Sequence, residues 1–194
     1  MSSSAVARFA REQVVEPEAI ARARQAALEL GAAPISPSIG AQCAVIAAAT
    51  GARSVIEIGT GAGVSGLWLL HGAPDAVLTT IDKEPEHLAA AREAFAAARV
   101  LPRMNEKAYD VVLIDADQDQ IIDYVAHGLR LVRPGGTVLV PRVLAGGRVA
   151  DPVARDSHTS DLRNLISETL GSPSVFASLH TAEEGLLQIT LPRA

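Results

Sequence analysis

The chain has 194 residues, 48% of them hydrophobic but only 3% aromatic, and a formal net charge of -5. That length suits one sizeable core, read here as a single domain over residues 1–194, and the Ala, Val, Leu and Ile content suits helices packed on a buried parallel sheet. Scattered basic residues and mild acidity exclude nucleic acid as the primary ligand. The single cysteine, Cys43, excludes an internal disulfide and a cysteine-rich zinc site. With no signal-peptide pattern and no apolar run of membrane-spanning length, a cytoplasmic protein without a membrane partner is expected.

In chain order, the first fifty residues read as three helices: Ser3 to about Glu12, Pro17 to Leu30, and Ser38 to Thr50. The rhythm then changes to short apolar strands alternating with helices, the mark of βαβ units and a parallel sheet. The strands are Val55 to Ile58, Ala76 to Ile81, Tyr109 to Ile114 and Val138 to Val140. The helices between and after them are Ser65 to Leu70, Pro85 to Ala98, Ile121 to Leu131 and Thr159 to Leu170. Two closing strands, Ser174 to Leu179 and Gly185 to Leu191, are joined by the polar turn Thr181 to Glu184, so a terminal hairpin adds an antiparallel edge. Between Ala97 and Tyr109 there is room for a connection but not for the further strand that a doubly wound sheet carries there. Of a shortened chain and residues missing between Val100 and Leu101, the second agrees better with a sheet whose central edges must be covered.

The chemistry concentrates after the first strand, in Glu57-Ile-Gly59-Thr-Gly61-Ala-Gly63. Three glycines allow sharp bends and close approach of backbone to a ligand, and the helix that follows aims unpaired N–H groups at the same crevice. Ligands of open α/β sheets bind beyond the carboxyl ends of strands, so Asp82, ending the second strand, belongs to this pocket and suits a ribose. The overlapping run Gly61-Ala-Gly63-Val-Ser-Gly66 also matches the dinucleotide pattern, which keeps an NAD-dependent oxidoreductase as an alternative. Glu57 argues otherwise: a strand carboxylate there suits the cationic amino end of a methionine moiety and has no use for a diphosphate.

The pieces EIGTGAGVSGLWLL, LTTIDKEPEHLAAAREAF, YDVVLIDAD and LRLVRPGG, spread from about Pro34 to Gly136, resemble the metal-dependent, caffeoyl-CoA-type O-methyltransferases. The resemblance implies a doubly wound, Rossmann-like class I methyltransferase sheet of seven strands over residues 51–194, with extra N-terminal helices over 1–50. It also implies an S-adenosylmethionine cofactor, a small-molecule methyl acceptor and a homodimer. Carried over residue by residue, the cofactor contacts are Ile35, Glu57, Gly59, Thr60 and Ser65, with Asp82 on the ribose, Lys83 beside the adenine and Asp115 near the sulfonium. Taken without the resemblance, Ser65 reads equally as a helix cap, and Asp117 reads chiefly as the cap of the helix that follows it.

The resemblance fails in the residues that would carry metal-assisted chemistry. Relatives that methylate catechols hold a divalent metal through the strand-end aspartate and an Asp-Asn pair after the next strand; here that pair is Pro141 and Arg142. Neither supplies a side-chain oxygen, and a fixed positive charge stands where the ion would sit. The family's lysine after IDAD is Gln118, which cannot serve as a base. The expectation is an O-methyltransferase without the metal, with Asp115 as the remaining catalytic candidate, Arg142 able to steer an anionic acceptor and His158 a solvated or capping residue. A cofactor-binding protein that has lost catalysis is the competing reading.

Overall fold

The computed structural model describes residues 3–95 and 106–193. Three helices come first: α1 (Ser3–Glu12), α2 (Glu18–Glu29) and α3 (Pro37–Ala49). Then follow β1 (Ser54–Ile58), α4 (Val64–Gly72), β2 (Val77–Ile81), α5 (Pro85–Ala94), β3 (Tyr109–Ile114), α6 (Ile121–Leu131) and β4 (Val132–Pro141). The chain ends with α7 (Ser157–Gly171), β5 (Phe176–His180) and β6 (Leu186–Thr190). No helix among the described residues is long and apolar enough to cross a membrane.

The strands form one sheet in the order β2-β1-β3-β4-β6-β5. β1 to β4 are parallel, and β6 runs antiparallel to both β4 and β5. The terminal hairpin is therefore present, but its antiparallel member lies one place in from the edge, and the edge strand β5 runs with β1 to β4. Side-chain burial explains the order. Leu186, Leu187 and Ile189 of β6 are buried on both faces of the sheet, whereas Phe176 of β5 is 69% exposed.

Alternation along the strands divides the core into two layers. Val55, Val111, Leu113 and Leu139 face a cluster built with α2, α3 and α4, while Ile56, Val112, Ile114, Val138 and Val140 face α6 and α7. Strands buried on both sides read as continuous apolar runs, as β3 does in Tyr-Asp-Val-Val-Leu-Ile.

β4 begins earlier than expected. Arg133-Pro-Gly-Gly136 reads as a turn that ends a helix, yet Val132 already pairs with Tyr109 before the register jumps to Val111 and Thr137. Those residues are an excursion within one strand. The described residues supply six strands; the Val100–Leu101 junction, and the last residues expected in α5, lie outside them.

Candidate functional site

The carboxyl ends of β1 to β4 converge on a cavity of about 450 Å³, within the range of small-ligand sites. Gly59, Thr60, Gly61, Ser65, Asp82, Lys83 and Asp115, all but Gly61 expected cofactor contacts, line it, and Arg142 joins them. Pro34, Ala33 and Ala32 form a wall before α3, and Ala27 of α2 continues it. Ile35 and Glu57 are the two expected contacts that lie behind the lining. Ile35 is buried and its carbonyl accepts a 2.8 Å hydrogen bond from Arg24 Nη1.

Glu57 is fully buried on β1, where the Ser65 hydroxyl donates to one carboxylate oxygen and the Thr80 hydroxyl to the other at 2.9 Å. Burial outweighs these hydrogen bonds and pushes its pKa up to about 8. A desolvated acid with no positive partner among the described residues, one hydroxyl away from the cavity, suits a cationic ligand group. Ser65 is thus no helix cap: Gly63, at φ +89°, stands at the N-cap of α4, and the Ser65 side chain is turned to Glu57.

Asp82 organises the glycine loop. Its Oδ2 accepts from the amides of Thr60 at 2.9 Å and Gly61 at 2.8 Å, and its Oδ1 accepts from the amide of Glu84 at 2.9 Å. His87 Nδ1 lies 3.4 Å from the same Oδ1. Burial alone would raise its pKa, but these amides and His87 hold it below the ordinary carboxylate value. Within the loop, a Cβ on Gly61 would meet no protein atom within 4 Å, so its φ of +50°, and not crowding by the fold, calls for glycine there.

Asp115, ending β3, has a side chain 8% exposed; its Oδ2 lies 3.0 Å from Arg142 Nη2, and its buried Oδ1 has no hydrogen-bond partner among the described residues. Burial raises its pKa to about 6, against the lowering influence of Arg142 and with a further rise from Glu184. The same Nη2 of Arg142 donates to the carbonyl of Ala33, so the guanidinium ties β4, β3 and the loop before α3 together. Arg142 adopts φ +66°, a sparsely populated conformation for a residue with a side chain. The donor set does not fit a divalent metal: a guanidinium occupies the one candidate carboxylate, and no cluster of three or more His, Cys, Asp or Glu side chains able to hold an ion occurs among the described residues.

Other sequence candidates fall outside the cavity or into structural roles. Asp117 lines the entrance but caps the turn Gln118–Gln120 and lies 3.5 Å from Lys83. His158 is half-buried in the first turn of α7, whose cap is Asp156, and does not line the cavity. Cys43 is wholly buried, and burial pushes its thiol pKa up. Three residues that the sequence did not single out belong to the site. Glu184 accepts from the Ser36 amide at 2.8 Å, Arg24 holds Ile35, and His87 faces Asp82.

Comparison with known proteins follows the same outline. A relative from Mycobacteroides abscessus that carries an O-methyltransferase name is 40% identical over 202 aligned positions, covering 96% of this chain and 94% of its own. That alignment is longer than the 194 residues of this chain, so the relative carries residues that this chain does not. A Mycobacterium tuberculosis relative, also named for O-methyltransferase activity, is 45% identical over 178 positions, covering 82% of this chain and 80% of its own. Among solved structures, the O-methyltransferase TomG from Streptomyces achromogenes, involved in tomaymycin synthesis and solved with S-adenosylmethionine, superposes with a TM-score of 0.79. It is 27% identical, over 99% of this chain and all of its own. A Corynebacterium glutamicum protein superposes at 0.86 with 25% identity, over 100% of this chain and 99% of its own. The O-methyltransferase family profile matches residues 13–191, and the chain belongs to that family.

Proposed function

We propose that this protein is an S-adenosylmethionine-dependent O-methyltransferase that acts on a small-molecule acceptor without the divalent metal of its catechol-methylating relatives. The observation that carries the reading is the pairing of a glycine loop, tied to Asp82, with the buried carboxylate of Glu57 beneath Ser65. Such a site suits a ligand with a ribose at one end and an ammonium group at the other. Bound there, the cofactor supplies an activated methyl group on a sulfonium.

The chain's own residues then have distinct tasks. Gly59, Thr60 and Ser65, with the Ile35 segment, shape the amino-acid end, and Glu57 balances its ammonium charge. Asp82 and Lys83 serve the nucleoside end, and Asp115 orients the acceptor. Metal-free action is supported by the guanidinium that Arg142 places on Asp115. Alignment of acceptor oxygen, methyl carbon and sulfur is the main requirement that remains. The family resemblance supports a homodimer, and the sequence pattern a cytoplasmic location.

Calorimetry with S-adenosylhomocysteine and with NAD tests the cofactor. Tight binding of the first and none of the second is expected; the reverse would make the protein an oxidoreductase. Turnover unchanged by a chelator supports metal-free action, and turnover restored by Mg²⁺ after chelation would overturn it. Binding of S-adenosylhomocysteine without methyl transfer to any of a broad panel of phenols, carboxylates and amines would favour a protein that has lost catalysis.

A further inference from the structure

We propose that the methyl acceptor is a carboxylic acid, held as its carboxylate by Arg142, and that the protein forms methyl esters. The proposal rests on the methyltransferase reading above. Arg142 uses one nitrogen, Nη2, for both Asp115 and the Ala33 carbonyl. A guanidinium carries five N–H donors, so Nε and Nη1 keep three that are uncommitted among the described residues, in a side chain that lines the cavity. The side chain is 27% exposed, and its backbone is held in the left-handed region by a 2.9 Å bond from its own amide to the Gly185 carbonyl. A charged donor set fixed at a cavity wall by an unfavourable backbone conformation is an arrangement found at ligand clamps.

Donor geometry then selects the acceptor. Among the described residues Asp115 is the side chain paired with Arg142, and it takes only Nη2. Glu184 adds its negative charge at Asp115 and leaves Nε and Nη1 free. A carboxylate matches the planar fork of N–H donors that remains, whereas a neutral alcohol or amide leaves part of it unpaired. The chemistry agrees. A phenol has a pKa near 10 and must be ionised by a metal or a base, whereas a carboxylic acid near 4 is ionised already. Gln118 is no base, Asp115 at about 6 is far too weak a base to ionise a phenol, and His87 lies at the β2 end of the site, separated from β4 by two strands. Transfer to a carboxylate forms one O–C bond and breaks one S–C bond, the bonding pair leaves with sulfur, and no proton has to move.

The wall beside Arg142 defines the rest of the acceptor. Ala27, Ala32, Ala33 and Pro34 are small and apolar, so the carboxylate is expected on an apolar body.

The test uses the full chain saturated with S-adenosylhomocysteine, titrated calorimetrically with benzoate, phenylacetate and cinnamate and with the matched neutral amides and alcohols. The same compounds are also offered with S-adenosylmethionine and the products weighed by mass spectrometry. The acids are expected to bind and to yield methyl esters, and the neutral analogues to do neither. Arg142→Gln is expected to weaken acid binding at least 30-fold, by several times more than it weakens S-adenosylhomocysteine binding, and Arg142→Lys to recover part of the loss. The wild-type comparison of acid with amide needs no variant, so it decides even where Arg142→Gln does not fold. Acids that bind Arg142→Gln as well as wild type, preferred turnover of alcohols or phenols, or S-adenosylhomocysteine binding with no acid bound or esterified would each overturn the proposal. A wild-type protein that fails to bind S-adenosylhomocysteine at all would overturn the cofactor reading first, which separates the two failures.

Discussion

A Cβ atom placed on Gly59 would stand 2.0 Å from the carbonyl oxygen of Asp115. The two residues end adjacent parallel strands, where the Asp115 amide donates to the Ile58 carbonyl at 2.8 Å and the Gly59 amide to the Ile81 carbonyl at 2.8 Å. Gly59 therefore lets three strand ends close together, at φ +95°. Gly59→Ala adds backbone overlap to left-handed strain and is expected to cost about 3 kcal/mol or more, read as a lower urea midpoint at unchanged slope. Gly61→Ala, which has the strain and no overlap, is expected to cost only about 1–2 kcal/mol.

Glu57 links proton binding to cofactor binding. Its ordinary value is 4.5 and its value in the unliganded fold is about 8. Between those values the unfolded chain has released a proton that the folded chain keeps, so the stability of the unliganded protein falls as pH rises through that window. A cationic ligand group favours the ionised form, so affinity for S-adenosylhomocysteine is expected to rise with pH towards 8, with a proton released on binding at pH 7. Calorimetry in two buffers of different ionisation enthalpy reads that proton. Glu57→Gln should remove the proton release and weaken binding about 10-fold or more, while raising Tm by about 2–4 °C for each kcal/mol of desolvation relieved.

Asp110 anchors the opposite end of β3. Its Oδ2 accepts from the amides of Arg53 at 2.7 Å and Ser54 at 2.8 Å, and its Oδ1 lies 2.5 Å from Arg133 Nε. Burial would raise its pKa, but these bonds outweigh it and hold the group below the ordinary 3.8. A depressed pKa contributes stability that is present above 3.8 and is lost as pH falls through the folded value. Asp110→Ala leaves two amides and a guanidinium without their acceptor, at about 2–3 kcal/mol, and should flatten the acid limb of the stability profile. Affinity for S-adenosylhomocysteine should not change, since Asp110 does not line the cavity.

What the sequence discloses follows the range of the interaction. The α6 helix has the expected bounds, Ile121–Leu131, because its apolar spacing is a local property. That the glycine loop and Asp82 share one crevice was legible because ligands of an open α/β sheet bind beyond its strand ends, whereas Asp115 was marked only by the family resemblance. The β4 start was not: Arg133-Pro-Gly-Gly carries turn chemistry, and only pairing with Tyr109 across the sheet makes Val132 part of a strand. Without the resemblance Ser65 read equally as a cap, because cap propensity is local, whereas its bond to Glu57 depends on how α4 lies on β1. Glu184 gave no signal, because its partner Ser36 is 148 residues away in the chain.

The Glu184 contact offers a test of how the site wall is held. The Ser36 amide donates to Glu184 Oε1, Arg24 donates to the Ile35 carbonyl, and Ser38 Oγ donates to Glu183 Oε1 at 3.0 Å. The hairpin turn between β5 and β6 thus fastens the start of α3, whose preceding residues Ala33 and Pro34 line the cavity. Glu184→Ala leaves the half-buried Ser36 amide without a partner, but Glu183 and Arg24 still hold the segment. The expected result is a cofactor-site effect larger than the stability effect: S-adenosylhomocysteine affinity falls about 10-fold, while the unfolding free energy falls by about 1 kcal/mol. Glu184→Gln retains an acceptor oxygen and should stay within about threefold of wild type. Equal losses in both variants would mean that the charge of Glu184, felt at Asp115, matters more than the hydrogen bond to Ser36.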